Sequence, residues 1–200
     1  MSSCEVVDRG QAAPIYITVV AGALFLALAY FAFGQAALAR NGTQSAADAA
    51  ALAAAHDARN QLGEGILDSL DDLAQWEELL AGRTFLAERA CAQAESFAKK
   101  NQSAAQACEV KGGTAPEFSV EVRSVAPVGD SVVPGTEGVH ARASAAAVLE
   151  PLCRAVEADL EESPKDPVLL LCDGDKLIVN PEEPETVPDF DALFRVRLTE

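Results

Sequence analysis

Five cysteines are the residues of this chain whose type and spacing carry the clearest chemistry. Cys4 stands near the N-terminus, and Cys91, Cys108, Cys153 and Cys172 all follow a long uncharged apolar run. An even set of thiols on one side of such a run suits two disulfides in an oxidising compartment, with Cys4 reduced on the other side. Four cysteines allow three pairings. Short sequence separation favours Cys91–Cys108 with Cys153–Cys172, because closing a short loop costs little entropy. No C-x-x-C pair is present, which excludes zinc ribbons and thioredoxin-like redox sites.

The remaining reactive side chains form no catalytic constellation. The two histidines, His56 and His140, have no partner at H-x-x-H or H-x-x-x-H spacing and read as surface residues. Asp71-Asp72 and Asp173-Gly174-Asp175 pair carboxylates, but a calcium loop needs more oxygen ligands at set positions. Glu161-Glu162 and Glu182-Glu183 read as solvated loop positions. No G-x-S-x-G, P-loop or G-x-G-x-x-G appears, and no nucleophile has a base beside it. The expectation is a protein that is not an enzyme, with no metal, no cofactor and no small-molecule substrate.

The element that separates the cysteines is Pro14 to Ala39, PIYITVVAGALFLALAYFAFGQAALA, which holds no charged residue. About 20 apolar residues in a helix cross a hydrocarbon core of about 30 Å. The run is therefore expected to cross a membrane once. Arg9 and Arg40 flank it and leave the positive-inside rule balanced. The cysteine split places the N-terminus in the cytoplasm and the rest outside the cell. Ala37-Leu38-Ala39 stands where a signal peptidase would cut, but the apolar core of a signal runs only about 7–15 residues. The helix is expected to be retained. These features divide the chain into a cytoplasmic tail (1–13), a transmembrane helix (14–39), an extracellular helical region (40–107) and an extracellular β-rich region (108–200). A net charge of −16 opposes nucleic-acid binding. It also predicts repulsion from anionic lipid headgroups beyond the span.

Beyond the span, Arg40 to Thr43 reads as a kink or brief break. SAADAAALAAAHDARNQL then predicts a helix with Ala46, Ala50, Ala53 and Ala54 on one face, small enough for another helix to approach closely. Gly63-Glu64-Gly65 predicts a turn. A second helix follows over Ile66–Leu80, with Trp76 at its edge, and then an interruption at Gly82. A third helix over Phe85–Lys100 places Leu86, Ala90, Ala94 and Phe97 on one face. Residues 117–125 alternate as a half-buried strand, with Phe118, Val120 and Val122 on one side. Pro127 to Gly138 reads as a loop, and 139–149 as the paired strand. Leu152 to Glu162 predicts a short helix. Val168–Cys172 and Lys176–Val179 predict a hairpin, Pro181–Pro188 a loop and Phe190–Leu198 a last strand. Helices first and strands after give an α+β fold: a long N-terminal transmembrane helix continuing into an alanine-rich helix, a helical segment and a small antiparallel sheet.

Asp8-Arg9-Gly10-Gln11-Ala12-Ala13 leads into the span. Ala39-Arg40 and then Gln44-Ser45-Ala46-Ala47-Asp48-Ala49-Ala50-Ala51-Leu52-Ala53-Ala54-Ala55 lead out of it. Over roughly residues 8–57 the chain resembles the TadE/TadG-like Flp (tight-adherence) pilus-assembly proteins. The stretch from Cys91 to Cys108 looks like the helix-to-strand cysteine pair of some of these proteins. The resemblance implies a single-pass, pilin-like protein, either a minor pilin or an assembly factor. Its implied partners are other pilin-like subunits and the Tad secretion machinery. It also implies that the alanine face of residues 46–54 packs in a filament core. Prepilins of this type are cut after a glycine, with glutamate five residues on and an aromatic next. Gly10 and Gln11 stand at such a site and Tyr16 supplies the aromatic, but Ile15 takes the glutamate position. An uncleaved, membrane-anchored assembly protein fits that departure better than a major pilin. The alternative is a surface-anchored or secreted acidic binding module with no pilus role.

Overall fold

The computed structural model describes residues 12–70, 72–128, 138–156 and 167–199. Its fold is α+β, with a long N-terminal helix, short helices and two antiparallel sheets. Helix α1 runs unbroken over Ala12–Asp68, 57 residues that rise about 86 Å. Helices α2 (Leu73–Leu80) and α3 (Ala87–Lys100) follow. Strands β1 (Ser103–Lys111), β2 (Glu117–Ser124), β3 (Arg142–Pro151) and β7 (Phe194–Leu198) form one sheet in the order β1-β2-β3-β7. Strands β4 (Cys153–Ala155), β5 (Val168–Cys172) and β6 (Asp175–Val179) form a second, in the order β4-β5-β6.

The alternation in β2 does what a half-buried strand requires. Phe118, Val120 and Val122 are fully buried, while Ser119, Glu121 and Arg123 alternate on the other side. β2 pairs antiparallel with β3, from Glu117 opposite Val148 to Arg123 opposite Arg142. The β5–β6 hairpin turns on Asp173 and Gly174, both with positive φ, as a two-residue type I′ turn demands.

Several expected elements are corrected. Residues 40–43 do not break the helix; the Thr43 hydroxyl bonds back to the Ala39 carbonyl at 2.7 Å inside a continuous α1. Gly63-Glu64-Gly65 is not a turn. Two interior glycines cost a helix about 1 kcal/mol each. Full burial of Leu62 and Ile66 on either side outweighs that, at about 1.5–3 kcal/mol apiece. The second helix accordingly starts at Leu73, and Ile66 belongs to α1. Trp76 is fully buried rather than at an edge, and its indole N–H donates to the Ser69 carbonyl at 2.9 Å. The buried face of α3 is Ala90, Ala94 and Ala98, while Leu86 and Phe97 are exposed. The segment after Leu152 opens as strand β4, held to β5 with Cys153 opposite Cys172; its continuation to Glu162 lies outside the described residues. Phe190–Leu193 is a helical turn, α4, before β7, and Pro184–Thr186 forms a 3-10 turn. Most of the Pro127–Gly138 loop lies outside the described residues.

Candidate functional site

Helix α1 holds two environments in one unbroken element. From Ala13 to Gly42 no residue is buried. Ile15, Tyr16, Phe25, Tyr30 and Phe33 are all more than half exposed, with Tyr16 at 71 %. This half is long and apolar enough to cross a membrane. Its one hydroxyl-bearing aliphatic residue, Thr18, donates to the Pro14 carbonyl at 2.8 Å, so the hydroxyl needs no other partner. Gly10 and Gln11 lie outside the described residues; Ile15 and Tyr16 sit in the first turns of the exposed half.

The environment changes at Thr43, which is 2 % exposed. From there Ala46, Ala47, Ala50, Ala51, Ala54, Ala55 and Ala58 are fully buried. They share one core with Ala90, Ala94 and Ala98 of α3 and with Phe118, Val120, Ala147 and Leu149 of the sheet. Small side chains do let another helix approach, as the sequence indicates, but that helix is α3 of the same chain. The alanine face is consumed inside the domain, which corrects its assignment to packing between subunits in a filament.

A polar seam fixes α3 against α1. The Gln61 amide donates to the Leu86 carbonyl at 3.2 Å and accepts from the Leu86 N–H at 2.8 Å. The same amide nitrogen donates to Asp57 at 2.7 Å. Arg89 reaches Asp57 at 3.5 Å and Glu64 at 3.6 Å. These contacts hold the first turn of α3 against residues 57–64 of α1. On another side, Arg59 pairs with Asp191 of α4. Partial burial lowers the Arg59 pKa from its ordinary value, and its Nε is buried without a partner.

Cys91 and Cys108 form a disulfide between α3 and β1, 17 residues apart in sequence. Cys153 and Cys172 form a second across β4 and β5, 19 residues apart. His56 is exposed, and His140 places Nδ1 2.8 Å from the Ser124 carbonyl. Asp173 pairs with Arg195 at 3.2 Å. Among the described residues no three His, Cys, Asp or Glu side chains gather as a metal-holding group. Sequence reasoning missed the Asp57–Gln61–Glu64 seam. Its i, i+4, i+7 spacing was visible, but its partner Leu86 contributes only backbone atoms.

Residues 10–58 match the family model of putative Flp pilus-assembly TadE/G-like proteins. The match begins just before the exposed half of α1 and ends at Ala58, the last of its buried alanines. No curated protein and no solved structure matches the chain.

Proposed function

We propose that this chain is a membrane-anchored, pilin-like protein of a Flp (tight-adherence) pilus-assembly system, serving as a minor pilin or an assembly factor and not as an enzyme. One observation carries the reading: the exposed apolar half of α1 passes without a break into the half that forms the spine of a folded domain, within the stretch matched to the pilus-assembly family. Residues 14–39 are the anchor, the N-terminus is cytoplasmic, and residues 40–200 fold outside. Two disulfides beyond the anchor support that side as the oxidising one. The partners are other pilin-like subunits and the Tad secretion machinery. With Ile15 where a prepilin peptidase expects glutamate, the anchor stays uncut at Gly10. With its alanine face used internally, the protein meets its neighbours through the exposed half of α1 and the outer surface of the domain.

The test is the state of the full chain in its own cell. It should resist carbonate extraction from membranes and keep an intact N-terminal mass. Its four distal cysteines, but not Cys4, should react with a membrane-impermeant thiol reagent after mild reduction. Co-purification with a secretion ATPase and polytopic membrane proteins of the same system is the expected association. A mature start at Arg40 would favour the secreted acidic binding module instead, and labelling of Cys4 in intact cells would invert the topology.

A further inference from the structure

Several basic side chains gather at one end of the folded domain. The Gln44 side chain meets the Ser144 carbonyl at 3.3 Å, which sets the start of β3 beside the point where α1 enters the domain. Arg142 lies two residues before Ser144, about 7 Å back along the strand. Arg40 lies four residues before Gln44, about 6 Å back along the helix. The other end of β3, Pro151, lies opposite Phe194, just after the α4 turn that docks at Gly63 and Arg59, so β3 and α1 run the same way and the two side chains start at about one level, at the anchor end of the domain. Arg123 is the direct cross-strand partner of Arg142. The Val125 N–H donates to the Gln102 carbonyl at 2.9 Å and Ser103 lies opposite Ser124, so Lys99 and Lys100, at the end of α3, come to the same end as Arg123.

Two of these five cations have acidic company: Lys99 pairs with Glu95 at 2.6 Å and Arg142 approaches Glu121 at 3.8 Å. Lys100 lies over the Phe97 ring at 4.3 Å. Arg40 and Arg123 have no ion pair among the described residues. At the far end Arg83 is matched by Glu78 at 2.9 Å and Arg195 by Asp173 at 3.2 Å, while Arg154 and Lys176 have no ion pair among the described residues. Two like charges directly opposite on a sheet are destabilising. Arg123 and Arg142 keep that arrangement on the outer face, at the level where the apolar helix leaves the domain.

We propose that this basic collar binds anionic phospholipid headgroups of the leaflet on the domain's side, seating the domain on the membrane surface. The proposal rests on the membrane-anchor reading for its geometry. It revises the expectation of simple repulsion, because the attraction of surface cations to anionic lipid falls off within a Debye length. The collar is within that range, and the far end, where Glu78 and Asp173 lie, is not.

The test uses the full chain in neutral-detergent micelles, titrated with short-chain fluorescent phosphatidylglycerol and, separately, phosphatidylcholine. Phosphatidylglycerol should bind at least about fivefold more tightly, the effect of roughly one surface cation, and high salt should erase the difference. Lys99→Gln, Lys100→Gln, Arg123→Gln and Arg142→Gln together should remove the preference. Arg83→Gln with Lys176→Gln, a smaller charge change at the far end, should leave it. If the fourfold variant misfolds, Arg123→Gln with Arg142→Gln and the salt dependence of the unmodified chain still decide. Equal binding of the two lipids, equal loss from the far-end variant, or displacement by inorganic phosphate at matched concentration would overturn the proposal. The readout needs no bilayer insertion. A carbonate-extractable protein that keeps its lipid preference would defeat the anchor reading alone, and an inserted protein without the preference would defeat the collar alone.

Discussion

The Phe190 ring occupies the space where a side chain at Gly63 would sit: a Cβ built there would collide with three of its ring carbons. This fit, with the Arg59–Asp191 pair one turn away, docks α4 onto the spine helix. Gly63→Ala should therefore destabilise the domain by about 1–2 kcal/mol, overpacking outweighing the gain in helix propensity. In a Phe190→Ala background the sign should reverse, and the same substitution should stabilise by about 0.5–1 kcal/mol. Chemical denaturation followed by the emission of Trp76, the single tryptophan, measures both. An unchanged sign in the two backgrounds would remove the steric account.

Gln61 holds the first turn of α3 by both atoms of its amide. Gln61→Ala should cost about 1–2 kcal/mol and speed amide exchange at Leu86 and Arg89. Gln61→Glu keeps the acceptor for Leu86 but places a second carboxylate beside Asp57, whose residue is only 8 % exposed. It also loses the amide donor to the Leu86 carbonyl, so it should cost at least about 1 kcal/mol in the same denaturation assay.

Replacing Cys91 and Cys108 together with serine should lower stability by about 3 kcal/mol, the chain-entropy value for a loop of this length. The Cys153–Cys172 link should remain intact. Non-reducing peptide mapping checks the pairing directly, and a Cys91–Cys153 or Cys91–Cys172 peptide as the main species would contradict the arrangement of α3, β1 and β4.

A hydrogen bond from Arg197 holds the Glu150 carboxyl below its ordinary pKa, with the Arg197 and Arg195 charges adding to the effect. A carboxylate depressed in the folded state adds stability that is fully present above its unfolded pKa. That stability is lost as pH falls through the folded one. Glu150→Gln should therefore cost a few tenths to about 1 kcal/mol at neutral pH. The gap from the unmodified chain should close as the pH drops below the usual glutamate range of about 4.3. Denaturation midpoints across that range give the curve; a gap that widens in acid would exclude the assignment.

The span, β2 and the β5–β6 hairpin were legible because each carries a strong local signal: an uncharged run, strict alternation, and Asp-Gly between apolar segments. β1 was not. Its sequence SAAQACEVK is a poor strand by pattern, with a register shift between Ala105 and Ala107, and pairing with β2 and the link to α3 hold it in place. Gly63 and Gly65 were misread because glycine reports a need for space as readily as a turn. Here Phe190 and Leu79 fill that space. The alanine face was seen, but alanine does not say whose surface will cover it. No count of net charge places Arg123 opposite Arg142, because strand pairing brings the two together only after the chain folds.

An unbroken α1 makes the domain and its apolar half one lever. From Thr43 to Asp68 the packed half spans about 39 Å. The junction has no break at which the two halves could pivot separately. A tilt of about 20° in the span, ordinary for a membrane helix, would carry the Asp68 end sideways by roughly 13 Å. A neighbour pulling on the apolar end would likewise load the contacts of α3 and the sheet directly, with no slack segment to absorb the pull. The Cys91–Cys108 link ties together the two elements that would otherwise be free to part under that load.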